Sequence, residues 1–166
     1  PNTTTPEGRE WFAPVDPRTG EPGLRFQCTM CGNCCTGPEG YVLVSDPEAD
    51  ALAKRLGLPR QEFLDRYTHD TIHGRSLVEH ITALPPPSGY TPGRDCVFLD
   101  RTTIPGKAIC AVYEDRPAQC RTWPFWPSLL RERKNWERAK RTCPGLDQGP
   151  LIPIEEVRIR RDKVRI

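Results

Sequence analysis

Between Phe26 and Thr36 the chain runs Phe-Gln-Cys-Thr-Met-Cys-Gly-Asn-Cys-Cys-Thr, which puts Cys28, Cys31, Cys34 and Cys35 within eight positions. Thiolates are soft, strongly donating metal ligands, and two residues between successive cysteines let the chain fold back so that their sulfurs face one point. Gly32 supplies the backbone freedom that so tight a wrap needs. Cys96, Cys110, Cys120 and Cys143 follow singly. The total of eight could fill two four-thiolate sites.

An even cysteine count in a modest chain is also the mark of a disulfide framework. Such frameworks spread their cysteines to tie distant segments together, whereas half of these sit in one loop, and a bridge between the adjacent Cys34 and Cys35 would be strained. A metal centre is preferred. A structural zinc site usually shows two separated CxxC pairs, and this chain has one triple and singles. Cys28-xx-Cys31-xx-Cys34, completed by Cys143-Pro144, has the shape of a ferredoxin-type ligand set. That favours an iron–sulfur cluster, 4Fe–4S by preference, with zinc as the alternative. Cys35, Cys96, Cys110 and Cys120 are then left for a second cluster or a zinc ion. Arg116 and Arg121 flank Cys120, where guanidinium groups can stabilise thiolate charge and tune a cluster. A surface salt bridge from these arginines to Glu114 or Asp115 is an equal alternative.

Of the 166 residues only 36% are apolar and 19 are proline. One domain with a thin core is expected, gaining part of its order from metal–thiolate bonds, whose binding free energy is folding free energy. The net charge of +2, from 24 basic and 22 acidic side chains, provides no strong field toward nucleic acid or membrane. No stretch reaches the roughly 18 consecutive apolar residues of a membrane span. No signal-peptide pattern opens the chain, although it begins at Pro1 rather than methionine, which leaves room for a leader already removed. Thiols in such number fit a reducing cytoplasm.

The elements that would carry these residues are short. Trp11 and Phe12 punctuate a polar stretch rich in Pro and Gly, read as an extended arm over residues 1–24 whose two aromatics dock on the domain. Tyr41 to Val44 is β-prone, Ser45-Asp46-Pro47-Glu48 starts a helix that Gly57 stops, and a second helix follows Pro59 with Phe63, Leu64 and Tyr67 inward. His69, His73 and His80 lie in turn-like sequence without an acidic partner, and a ligand role is not assigned to them. Leu77 to Leu84 reads as a strand closed by Pro85-Pro86-Pro87-Ser88-Gly89. A hairpin with Cys96 facing Cys110 across a Pro105-Gly106 turn comes next. Ser128 is expected to cap one helix reaching about Arg141, on which Leu129, Trp136 and Cys143 share a face. The tail from Ile154 to Ile166 carries Arg158, Arg160, Arg161, Lys163 and Arg165. Runs of charge of this kind are usually solvated faces, and no nucleic-acid-binding motif accompanies this one. The expected fold is a small α+β domain around a metal centre, with short strands, about three helices and much irregular chain. The cysteine-cluster domain would span residues 25–150, and a basic tail residues 151–166.

The motifs RFQCTMCGNCC, DCVFLD, CAVYEDRPAQCRTWPF and CPG occur in that order from about Arg25 to Gly145. Together they resemble the bacterial YkgJ-like cysteine-cluster family, described as a zinc- or iron-chelating domain. The resemblance implies metal or iron–sulfur binding through Cys28, Cys31, Cys34, Cys35, Cys96, Cys110, Cys120 and Cys143. Members are often labelled iron–sulfur oxidoreductases, and a related cluster occurs in flagellin lysine methylases, so an oxidoreductase role rests on the resemblance alone. No phosphate loop, dinucleotide fingerprint or radical-methionine signature brings in a second cofactor. Two functions follow as expectations: a redox protein passing electrons to a protein partner, or a zinc-stabilised module that recognises another macromolecule.

Overall fold

A computed structural model describes residues 10–81 and 93–166. The proline-rich strand stop expected at residues 85–89 lies outside the described residues. In chain order the elements are β1 (Gly23–Phe26), β2 (Thr36–Gly37), α1 (Asp46–Leu56), α2 (Arg60–Tyr67), β3 (Thr68–Thr71), β4 (Gly74–Leu77), β5 (Glu79–Ile81), β6 (Arg94–Cys96), β7 (Leu99–Asp100) and β8 (Ile109–Cys110). They continue with α3 (Ala118–Arg121), α4 (Pro127–Leu130), α5 (Arg133–Ala139), β9 (Leu146–Pro153) and α6 (Ile154–Asp162). The class is α+β: short antiparallel strands form small sheets, ordered β1-β9, β2-β6-β5, β3-β4 and β7-β8, beside short helices and much irregular chain. Among the described residues no helix is long and apolar enough to cross a membrane. Two units divide the chain, one of Pro1–Thr29 with Thr122–Ile166 and the other of Met30–Arg121.

In the unit of Met30–Arg121, α1 forms where local chemistry demands it. The backbone N–H of Ser45 donates to Glu48 Oε2 at 2.8 Å, Pro47 sits in the first turn, and Gly57 ends the helix at φ 67°, donating to the carbonyls of Ala53 and Lys54. Ala49, Leu52 and Ala53 fall on one face and are buried with Phe63 of α2. Phe63, Tyr67 and Phe98 then stack in sequence, with ring centroids 5.6 and 5.4 Å apart. The run Tyr41 to Val44 makes only a single bridge, Leu43 to Ser76, rather than a strand.

The other unit is built around Trp136, Phe125, Phe12, Leu130, Leu146, Ile154 and Val157, all buried. Phe12 is thus core and not surface dressing. The single helix expected from Ser128 to Arg141 is instead two. Pro127 opens α4, and α5 restarts after Glu132, which is extended. The Trp11 indole N–H donates to the Leu130 carbonyl at 2.8 Å, occupying an acceptor that a continuous helix would have offered to its own next turn. Asn135 Nδ2 similarly holds the Ser128 carbonyl at 2.9 Å. The basic tail winds into α6, which buries Ile154 and Val157. Arg158 pairs with Glu10 at 2.7 Å, Arg161 also contacts Glu10, and Arg160 pairs with Glu156 at 2.7 Å.

Candidate metal centre

Two left-handed residues shape the cysteine loop, Met30 at φ 55° and Gly32 at φ 74°. The turn closes when the Cys35 N–H donates to the Gly32 carbonyl at 2.9 Å, and the Ala108 N–H fastens the loop by donating to Met30 O at 2.8 Å. A Cβ on Gly32 would stand 2.5 Å from the Ala108 Cβ and 3.3 Å from Leu99 Cδ1. Glycine is therefore required by both conformation and space. Gly32→Ala is expected to cost about 2 kcal/mol or more, from left-handed strain plus overpacking. A denaturant midpoint unchanged from wild type would contradict it.

Other elements bring further thiols to this region. Cys96 ends β6, Cys110 ends β8, and Cys120 rides on α3. Glu48 sets the start of α3 by accepting from the Ala118 N–H at 2.6 Å, and Gln119 bonds to Leu43 N and Tyr41 O at 2.9 Å each. Cys96 and Cys110 do not face each other across one hairpin as expected. Cys96 stands opposite Glu79 of β5, and Cys110 opposite Leu99 of β7, because β6 pairs away from the hairpin that β7 and β8 form.

Cys34, Cys35, Cys96, Cys110 and Cys120 nonetheless form one electrostatic group. The sulfurs of Cys34 and Cys35 are 3.7 Å apart. Their hydrogen bond lowers the Cys34 pKa, helped by the Arg116 charge, and raises that of Cys35 well above the thiol range. Burial pushes Cys96 up to about 11, with Cys110, Glu79 and Cys34 adding to it. Burial likewise raises Cys110, and it raises Cys120 far, reinforced by Cys96, Cys34 and Cys110. Burial and mutual proximity of this kind disfavour the thiolate forms, and a bound cation is the ordinary way to let several of them ionise together. Among the described residues no three Cys, His, Asp or Glu side chains already surround one point closely enough to hold an ion. The donors are gathered but not closed.

Of the remaining cysteines, Cys31 shares the loop with Cys34 and Cys35. Cys28 and Cys143 belong to the other unit. There the segments carrying them run side by side: the Gln27 N–H donates to Gly145 O at 3.1 Å, and a Cβ on Gly145 would stand 2.0 Å from Gln27 O. Arg116 lies 3.6 Å over the Tyr113 ring, with its Nε bonded to Tyr113 O at 2.8 Å, and its charge acts on Cys34, Cys110 and Cys120. Arg121 acts instead on Glu48. Asp115 pairs with Arg55, not with either flanking arginine. His69 lies in β3 and His80 in β5, and His73 stacks on Tyr41 at 4.5 Å.

The residues 27–144, well over half the chain, match the family model CxxCxxCC, "Putative zinc- or iron-chelating domain". The chain belongs to the CxxCxxCC family. No solved structure matches it. The matched span of this CxxCxxCC domain encloses all eight cysteines, and the sulfur-only donor set around Cys34 fits both metals in the family's description. Two polar atoms beside the loop were not legible in the sequence as part of the site. Arg101 Nη1 and Thr36 Oγ1 are buried without a hydrogen-bond partner. The only sequence hint was the position of Thr36 and Asp95 directly beside Cys35 and Cys96.

Proposed function

We propose that Cys34, Cys35, Cys96, Cys110 and Cys120, with Cys31 on the same loop, supply the ligands of an iron–sulfur centre in a cytoplasmic electron-transfer protein. The observation that carries this reading is the mutual electrostatic group of five thiols with the Arg116 guanidinium at its edge. Of the CxxCxxC run and later Cys-Pro that favour iron over zinc, this ligand set keeps the CxxC half, Cys31 and Cys34, while Cys28 and Cys143 belong to the other unit. An iron–sulfur centre supplies one-electron redox chemistry when bound, which zinc does not. The chain's own part is to exclude water, through the burial that holds Cys96 and Cys120 protonated until a cation displaces the protons. Cys34 is exposed, and Tyr113 is 49% exposed beside Arg116, so a protein partner docking there would come close to the thiols.

The second reading is a zinc-held module that recognises another protein. It draws on Ile72 and Ile81, which are 96% and 80% exposed. Anaerobic purification followed by iron, acid-labile sulfide and zinc analysis separates the two readings. Brown protein with iron and sulfide in equal amounts is expected. A colourless anaerobic preparation holding stoichiometric zinc and no iron would replace the redox reading with the zinc one.

A further inference from the structure

Arg101 follows β7 and is almost wholly buried, its side chain 10% exposed. Asp95, 16% exposed, grips it from one side, accepting from Nε at 3.1 Å and from Nη2 at 3.0 Å. This two-point fork fixes the plane of the guanidinium and leaves Nη1 facing away from the carboxylate. Nη1 has no partner. It lies 3.6 Å from where a Cβ would project from Gly32, within the turn that joins Cys31 to Cys34. A buried donor left unsatisfied costs about 1–3 kcal/mol, and more when it is charged, so an orphan of this kind calls for an explanation. Asp95 also stands opposite Thr36 in the β2–β6 ladder, and Thr36 Oγ1 is a second orphan, adjacent in sequence to Cys35.

We infer that Arg101 is a positioning residue for the metal centre, its Nη1–H donating to a thiolate sulfur of the Cys31–Cys35 loop once metal is bound. The inference rests on the metal reading above. In the absence of a charged sulfur the donor is idle. When metal turns thiols into thiolates, the guanidinium offsets the added negative charge and holds the loop in its ligating shape. Asp95 keeps the arginine aimed, and Gly32 leaves the space through which it acts.

Cobalt(II) is the probe, added to the full chain under anaerobic, reducing conditions. Arg101→Gln is compared with wild type and with the paired Asp95→Asn/Arg101→Gln, which removes both charges together and so leaves none buried alone. Loss of an outer-shell partner of a metal ligand weakens binding about 10–100-fold, and that loss is expected in both variants by chelator competition. The sulfur-to-cobalt charge-transfer band is expected to move to lower energy as the N–H withdraws from sulfur, with Arg101→Lys in between. Cobalt affinity within about twofold of wild type in the paired variant, with the band unmoved, would overturn the inference, since it is outside the range for such partners. A lower melting temperature with the band in place would assign Arg101 to the fold alone and also overturn it. If wild-type protein takes up no cobalt, the inference fails, and if it also holds neither iron nor zinc as isolated, the metal reading fails with it.

Discussion

Stripping metal from the protein is expected to abolish the cooperative thermal transition of the unit Met30–Arg121. Structural zinc sites contribute about 10–16 kcal/mol in small zinc-binding peptides, against total domain stabilities of about 5–15 kcal/mol. Removal of a contribution that large outweighs the core built from Val44, Ala49, Leu52, Ala53, Phe63, Leu77, Phe98 and Val112. Without metal, four of the five thiols, Cys35, Cys96, Cys110 and Cys120, have raised pKa values and stay protonated, so the metal–sulfur bonds that would tie their separate elements together are missing. Cys120→Ser should have the same effect as chelation, because Cys120 interacts with Cys34, Cys96 and Cys110 from the separate helix α3. The measurement is circular dichroism against temperature, with metal content determined on the same sample. A chelated, metal-free protein melting at the wild-type temperature would show that the thiols are not structural ligands.

Trp136→Ala is expected to destabilise the other unit by about 3–5 kcal/mol, the range for truncating a buried Trp or Phe. Trp136 is 1% exposed and is the largest fully buried side chain among the described residues. It packs against Trp11 and Phe125 at centroid separations of 5.9 and 6.1 Å, and its indole N–H donates to Asp147 Oδ1 at 2.9 Å. Its removal opens a cavity between segments from both ends of the sequence and leaves the Asp147 carboxylate with Lys140 alone, 2.6 Å away. For a chain of this size each kcal/mol corresponds to roughly 2–4 °C, so the melting temperature should fall by roughly 6–20 °C. Trp136→Phe, which keeps much of the volume and loses the N–H, should recover more than half of the loss. Equal losses in both variants would mean that the hydrogen bond, not the packing, dominates at this position.

Local signals were read correctly where the physics is local. The capping pair Ser45 and Glu48, Pro47 and the left-handed Gly57 bound α1 using only contacts a few residues apart, so they were legible without a structure. The four clustered cysteines and the Cys-Pro-Gly segment were equally legible, and the family match over residues 27–144 agrees with them. The break between α4 and α5 was not, because the carbonyl of Leu130 is taken by Trp11 from 119 residues away. The arginines of α6 look like an exposed basic strip in sequence, yet Arg158 and Arg161 meet Glu10 from the opposite end of the chain.

The sequence by itself determined that this is a sulfur-ligand protein of α+β class, since cysteine spacing and short element lengths follow from residue types alone. Which sulfurs interact was decided only by tertiary structure. Spacing groups Cys34 with Cys28 and Cys31, and the structure adds that Cys34 acts together with Cys35, Cys96, Cys110 and Cys120. Strand register accounts for part of this, since β6 pairs with β2 and β5 while β7 pairs with β8, which carries Cys96 and Cys110 in on separate ladders. The same long-range packing left Arg101 with one edge bound to Asp95 and the other open beside Gly32. No neighbour in sequence specifies that arrangement, because the energy that holds it comes from burial and from partners brought together by folding.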